Sequence, residues 1–175
     1  MGFAAKVEKL DGKLPKIAYK WDSETEILSG QFKGGRKSGG LTGSVELEGA
    51  EGSFVVLDVL AGVVRGLEVV VWPETAVVAD LTPPQPKSNG QLVMPGRSSQ
   101  PGVAAVEVDT HLSASKRPDE SVIHLRVGPK RKADVVQLAE GLIAEVDDKG
   151  NIAGLWLSGV PPFPAEPDGE GEEVA

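Results

Sequence analysis

The chain has 175 residues, enough for one ordinary domain or two small ones with a modest core. Its net charge of −8 argues against a general affinity for the phosphate backbone of nucleic acid. It has no Cys, so neither disulfides nor thiolate metal sites contribute. Val (23) outnumbers Leu (16), and Gly (22) and Pro (13) are plentiful, a mixture that favours short strands and turns over long helices. Asp58, Arg65 and Glu68 interrupt the longest apolar stretch before it reaches the length of a membrane span. The start, MGFAAKVEKLDGK, lacks a signal peptide's apolar core and has Lys6 where a myristoylation signal wants Ser or Thr. The expectation is a cytoplasmic protein with no membrane, nucleic-acid or cofactor partner.

In chain order, residues 1–14 are polar and expected to fray. Ile17, Tyr19 and Trp21 alternate with Ala18 and Lys20, which predicts a half-buried strand. Asp22-Ser23-Glu24 reads as a turn and Thr25–Phe32 as a second strand. Lys33–Gly40 reads as a mobile hairpin tip, and Leu41, Val45 and Leu47 mark a third strand. After Pro73, Val77–Leu81 suggests a short edge strand. Thr82–Gly102 holds five prolines and few large apolar residues, the composition of a linker. Val106, Val108, Thr110 and Leu112 alternate, and Val122–Val127 follows as a further strand. Asp134–Asp147 fits strands, but Val135, Leu138, Ala139, Leu142, Ile143 and Val146 also fit helical spacing, with Gly141 weakening the helix. From Pro161 the chain reads as a disordered tail, with five acidic residues in its last ten.

Gly141–Pro161 falls without gaps on Ser53–Pro73 when moved back 88 positions. Gly62, Gly66, Leu67 and Pro73 meet Gly150, Gly154, Leu155 and Pro161, and the apolar positions keep register with them. This predicts a duplication: a first β repeat over 15–81, a linker over 82–102, a second repeat over 103–160 and a tail over 161–175. Asp119 is taken to correspond to Asp22. The fold class expected is all-β, two similar antiparallel meanders packed about an approximate two-fold axis.

The closing hairpin of each copy has a readable mechanism. Asp147-Asp148-Lys149-Gly150 fits a type I turn closed by a glycine in the left-handed conformation. Ile152 and Leu155 share a face with Leu157 only if a bulge intervenes at Ala153-Gly154. Val64, Arg65-Gly66, Leu67 and Val69 require the same correction. Gly62, Gly66, Gly150, Gly154 and Asp147 are therefore assigned to turns and bulges.

Tyr19, Asp22, Glu24, Ile27 and Leu28, followed by Gly141, Ile143, Val146, Asp147, Gly150, Ile152, Gly154, Leu155 and Leu157, resemble the pattern of a small bacterial family of unknown function. Gly62, Val64, Gly66, Leu67, Glu68 and Val69 match its close again in the first copy. The resemblance implies a compact, mostly antiparallel β fold, and so favours strands over a helix in 134–147. It implies no activity. The chain departs from the pattern in carrying two copies and in having Trp156 where Glu is common.

Chemistry-bearing groups are few. Asp109 and His111 lie two apart, on one face of a strand, without a third ligand or a nucleophile beside them, so no metal site or catalytic set is assigned. Lys130-Arg131-Lys132 reads as a solvated turn. Gly30–Ser38 lacks both the lysine placement and the helix of a phosphate loop. What stands out is surface. Leu67, Val69 and Val71 point one way and Val70 and Trp72 the other, all apolar, and Trp156 and Val160 repeat the feature. The cover is the other copy, a second subunit or a ligand. Contact between the copies at Val70, Trp72, Trp156 and Val160 is expected. The preferred reading is a non-catalytic protein of interaction or assembly, with a protein partner or self-association. The alternative is a small-molecule binder or hydrolase with a cleft between copies lined by Trp72, Asp109, His111 and Trp156.

Overall fold

The structure, a computed structural model, describes residues 6–10, 13–33, 42–60, 62–93 and 107–163, without the side chains of 42 and 107–110. The glycine-rich tip over 34–40 and the acidic stretch beyond 163 lie outside the described residues. All regular structure among the described residues is strand. β1 (Lys6–Lys9) precedes a first run of β2 (Lys16–Trp21), β3 (Leu28–Lys33), β4 (Thr42–Gly49), β5 (Phe54–Leu60) and β6 (Val63–Val71). β7 (Thr75–Val77), β8 (Ser88–Val93) and β9 (Glu107–Thr110) follow. The second run is β10 (Leu112–Lys116), β11 (Val122–Val127), β12 (Asp134–Ala139), β13 (Leu142–Val146) and β14 (Ile152–Ser158).

Each run forms the same antiparallel order. In the first half it is β2-β3-β6-β5-β4, and in the second β10-β11-β14-β13-β12. The segment over 134–147 is thus a hairpin, β12 turning into β13, rather than a helix. The pairing also corrects the alignment. Leu57 pairs with Leu67, and Ala144 with Leu155, so the offset is 88 on the last strand but 87 on the one before it. The second hairpin has one more turn residue. Likewise Asp22 N–H bonds Ile27 O while Arg117 N–H bonds Val122 O, which sets Asp22 opposite Arg117 rather than Asp119.

The register skips one residue beside Gly66 and again beside Gly154. Asp58 pairs with Gly66 and Val59 with Val64, while Glu145 pairs with Gly154 and Val146 with Ile152. Leu67 and Val69, and Leu155 and Leu157, are thereby kept on the buried face with Val64 and Ile152. Gly62 (φ 80°) and Gly150 (φ 84°) close the two hairpins in the left-handed region. In the second, Asp147 accepts the N–H groups of Lys149 and Asn151 and is held by Arg131 Nε at 2.8 Å.

One cluster of buried side chains draws on both halves: Leu28, Leu47, Leu57, Leu67 and Val69 with Ile123, Leu142, Ile152, Leu155 and Leu157. Burying each such Leu or Ile is worth roughly 1.5–3 kcal/mol, so the inner faces, facing one another, hold the molecule together. The halves are joined at their edges by parallel pairs. β4 pairs with β9, β7 with β10 and β8 with β12, and Lys16 bridges Glu140. Tyr19 Oη donates to Gly141 O at 2.6 Å across the same junction, and burial pushes this phenol's pKa up.

Two segments differ from their sequence reading. Residues 6–9, expected to fray, form β1 against β8. The stretch read as a linker carries β8 itself, and the residues before it form a strap. Val78 N–H bonds Lys116 O at one edge of the second half, and Lys87 N–H bonds Val135 O near the other. Five strands at about 4.8 Å spacing separate these edges by about 19 Å. Nine residues of extended, proline-rich chain at about 3.1 Å each suffice to cross. Leu81 packs against Val122, Ile143 and Trp156 as the strap passes, and Arg117 Nε holds Leu81 O at 2.6 Å.

Candidate functional site

The residues singled out from the sequence do not meet in one place. Trp156 is 9% exposed and belongs to the outer cluster beneath Leu81, whereas Val160 lies in the common core. Trp72 packs at the margin of that core, Val70 is half-buried, and Val71 is 48% exposed. The halves meet through their inner faces, and Trp156 packs with Val122, Ile143, Val135 and Leu81 rather than in the outer-face contact with Val70 that was expected. The strap does the covering instead. Asp109 pairs with Glu48 in β9 against β4, while His111 falls between β9 and β10 and is exposed. The two positions are thus separated by a one-residue break between strands. Among the described residues no three His, Asp or Glu side chains are grouped to hold a metal ion.

The histidine with a partner is the other one. His124 on β11 is 6% exposed, and its Nε2 lies 3.0 Å from Glu145 Oε1 on β13. The two reach one another over Gly154 of the intervening β14, where a Cβ would collide with Glu145 Oε1 and come within 2.9 Å of His124 Nε2. Trp156 stacks on the imidazole with centroids 4.2 Å apart. The His124 hydrogen bond holds the Glu145 carboxyl below its usual range against the opposing effect of burial, with Trp156 and Arg126 assisting. The Trp156 indole N–H is buried without a partner of hydrogen-bonding geometry among the described residues. Sealed by an indole and a strap, this pair is placed to support the sheet rather than to meet a substrate.

An accessible site lies instead at the junction of the halves, a cleft of about 350 Å3. Trp21, at the end of β2, and Trp72, just past β6, stack at 5.6 Å and 25°. Phe163, beyond β14, meets Trp21 edge-on at 5.2 Å and 86°. Thr75, Lys116, Ile123, Glu26 and Glu120 complete the lining. The two glutamates occupy the β2–β3 and β10–β11 turns, which are equivalent, and both sit at positive φ, 63° and 65°. A non-glycine residue there is uncommon and mildly strained. Glu26 O accepts the Trp72 indole N–H at 2.9 Å. Glu120 takes the Lys116 ammonium at 2.7 Å and the Phe163 N–H at 3.2 Å. The Lys116 contact holds its carboxyl below the usual range, burial notwithstanding.

A groove of about 630 Å3 beside Arg131 is larger, but its central charges are already paired. Arg131 bonds Asp147, Val127 O, Pro129 O and Ile152 O. No known protein-family model matches the chain, and no curated protein is significantly similar to it. Among the described residues no helix is long and apolar enough to cross a membrane.

Sequence reasoning found Trp72 but neither Trp21 nor Phe163 as its neighbours. Trp21 looked like one more inward residue of an alternating strand, and Phe163 like part of a tail. They meet over 142 sequence positions, and no local pattern encodes that. The one local signal available was the pair of acidic turns of equal length, one in each half.

Proposed function

We propose that the protein is a non-catalytic binding protein of interaction or assembly, and that the aromatic cleft between the halves is its binding site. The observation that carries this reading is the origin of the lining. Three aromatic side chains from distant points of the chain converge beside two turns held in a strained backbone conformation. Aromatic side chains bring large contact area with little rotamer entropy to lose, which suits recognition. The shared strand order and the edge pairings made by both halves support a duplicated member of the small bacterial family it resembles, its copies related by an approximate two-fold axis. A cytoplasmic setting fits the lack of Cys.

The test is affinity capture from the native cells with the full chain and its Trp72→Ala variant, after melting curves show that the variant folds. Partners held through the cleft are recovered by the parent chain and lost by the variant. Recovery of the same partners by both places binding elsewhere. A second reading, a small organic ligand in the same cleft, is favoured by its size, which lies within the usual range of about 300–1,000 Å3 for such sites. A consistent small molecule co-purifying with the parent chain but not with Trp72→Ala selects that reading, and turnover of the molecule selects a hydrolase.

A further inference from the structure

The cleft already holds a segment of chain, and how it does so indicates what else it takes. Val160 is buried, with its N–H on Ser121 O. Beyond it Pro161 and Pro162 are exposed and Phe163 half-buried. Three contacts hold this segment. Trp21 Nε1 donates to Pro161 O at 2.8 Å, the Phe163 ring stands edge-on to Trp21, and the Phe163 N–H reaches Glu120 Oε1. An indole N–H on the carbonyl of an extended proline segment, over an aromatic floor, is how aromatic grooves read proline-rich peptides. Proline suits such a site because its φ is fixed in advance and little entropy is lost on binding.

The resident segment is lightly held, since most of its surface faces solvent. Space of about 350 Å3 remains open beside it. We propose, building on the cleft as the binding site, that it recognises an extended Pro-Pro-aromatic segment of a partner protein. The chain's own Pro161–Phe163 occupies the position as a tethered competitor. A tethered segment acts at an effective concentration in the millimolar range, so an incoming peptide binds weakly until that segment is released.

The probe is a capped peptide of sequence GVPPFP, that of residues 159–164, titrated calorimetrically into the full chain and its variants. Phe163→Ala, which removes the competitor's ring and leaves Trp21 and Trp72 in place, should bind it about tenfold or more tightly than the parent chain. Adding Trp21→Phe to that variant keeps a ring against the core and deletes the donor, and should lose about tenfold, a typical loss for an unpaired hydrogen-bond partner. A GVAAFP control should bind at least several-fold more weakly. The proposal is overturned if folded Phe163→Ala does not bind the peptide, if it binds no better than the parent, or if the control binds equally. It is also overturned if the parent chain forms a concentration-dependent dimer that Phe163→Ala abolishes, since the occupant is then a second copy's tail. Failure of the peptide, with cellular partners still lost in Trp72→Ala, removes the proline chemistry and leaves the cleft as the binding site.

Discussion

Two positions past the bulge glycine, the first half carries Glu68 and the second Trp156. The strand pairing makes these positions equivalent, and their neighbours differ in the same sense. Ser29 pairs with Glu68, and His124 with Trp156. Asp58 meets Gln31 at 3.0 Å in an exposed pair across Gly66, whereas Glu145 meets His124 in a part-buried one across Gly154. Two halves that share a strand order and a bulge thus present unlike outer faces, one solvated and one dry. The difference follows the strap. Only the second half has Leu81 laid over it, and only there does an apolar outer face with a buried, hydrogen-bonded histidine make physical sense. A β topology therefore leaves the outer face free to diverge, according to what the intervening chain does with it.

The largest expected effect contrasts those two positions directly. Trp156→Ala should cost about 3–5 kcal/mol, the usual range for emptying a buried aromatic site. Glu68→Ala should fall within about 0.5 kcal/mol, as surface changes do. Denaturant melts measure both, and equal costs would mean that the strap does not make the second outer face a core. A smaller effect should come from the strap itself. Leu81 is half-buried, so Leu81→Ala should lose about half the cost of a core leucine, about 1–2 kcal/mol. Acrylamide quenching of tryptophan should rise in step. If quenching is unchanged, something other than Leu81 shields Trp156.

Much of this was legible in the chain, and the part that was not has a common cause. Alternation at Ile17, Tyr19 and Trp21, and the parity break at Ala153-Gly154, are local patterns, and an all-β fold follows from them. The apolar outer face was legible too, from Trp156 itself. What covered it was not, because Leu81 reaches it from a stretch whose prolines read as linker. The offset between the two halves is not legible for a related reason. A single added turn residue before Gly150 shifts the strand that precedes it, yet the glycines that follow it still align. The cleft was hidden most completely, since Trp21, Trp72 and Phe163 meet only in the folded chain.

The acid limb of stability should sharpen the comparison further. Glu145 and Asp147 are both held below the ordinary carboxylate range in the folded protein. His124 lowers Glu145 against its burial. For Asp147 the opposing burial is outweighed by Arg131 and the N–H groups of Asn151 and Lys149. A depressed carboxyl contributes stability above its unfolded pKa of about 4, and that contribution is lost as pH falls through the folded value. Melting temperature should therefore be nearly flat from pH 7 to about 5 and fall below about 4. In Glu145→Gln the fall should be shallower, with the baseline about 1 kcal/mol lower at pH 7. An unaltered acid limb would show that this pair does not contribute.

The smallest expected effect separates the two turns that rim the cleft. Glu26 and Glu120 share a left-handed backbone, a region that asparagine tolerates better than glutamate. If strain were all that distinguished them, Glu26→Asn and Glu120→Asn would both stabilise the fold, each by about 0.5 kcal/mol. Their side chains are not equivalent, however. Glu26 contributes its backbone oxygen to Trp72, which asparagine preserves, whereas Glu120 uses its carboxylate for Lys116 and for the Phe163 N–H. Glu26→Asn should accordingly gain about 0.5 kcal/mol, while Glu120→Asn should gain nothing or lose a comparable amount as it gives up a partly exposed ion pair. The second variant should also bind the proline peptide more tightly than the parent chain if the resident segment is loosened more than the incoming one. A matched gain in both, with unchanged peptide affinity, would reduce the acidic rim to turn geometry and leave the aromatic floor alone to account for binding.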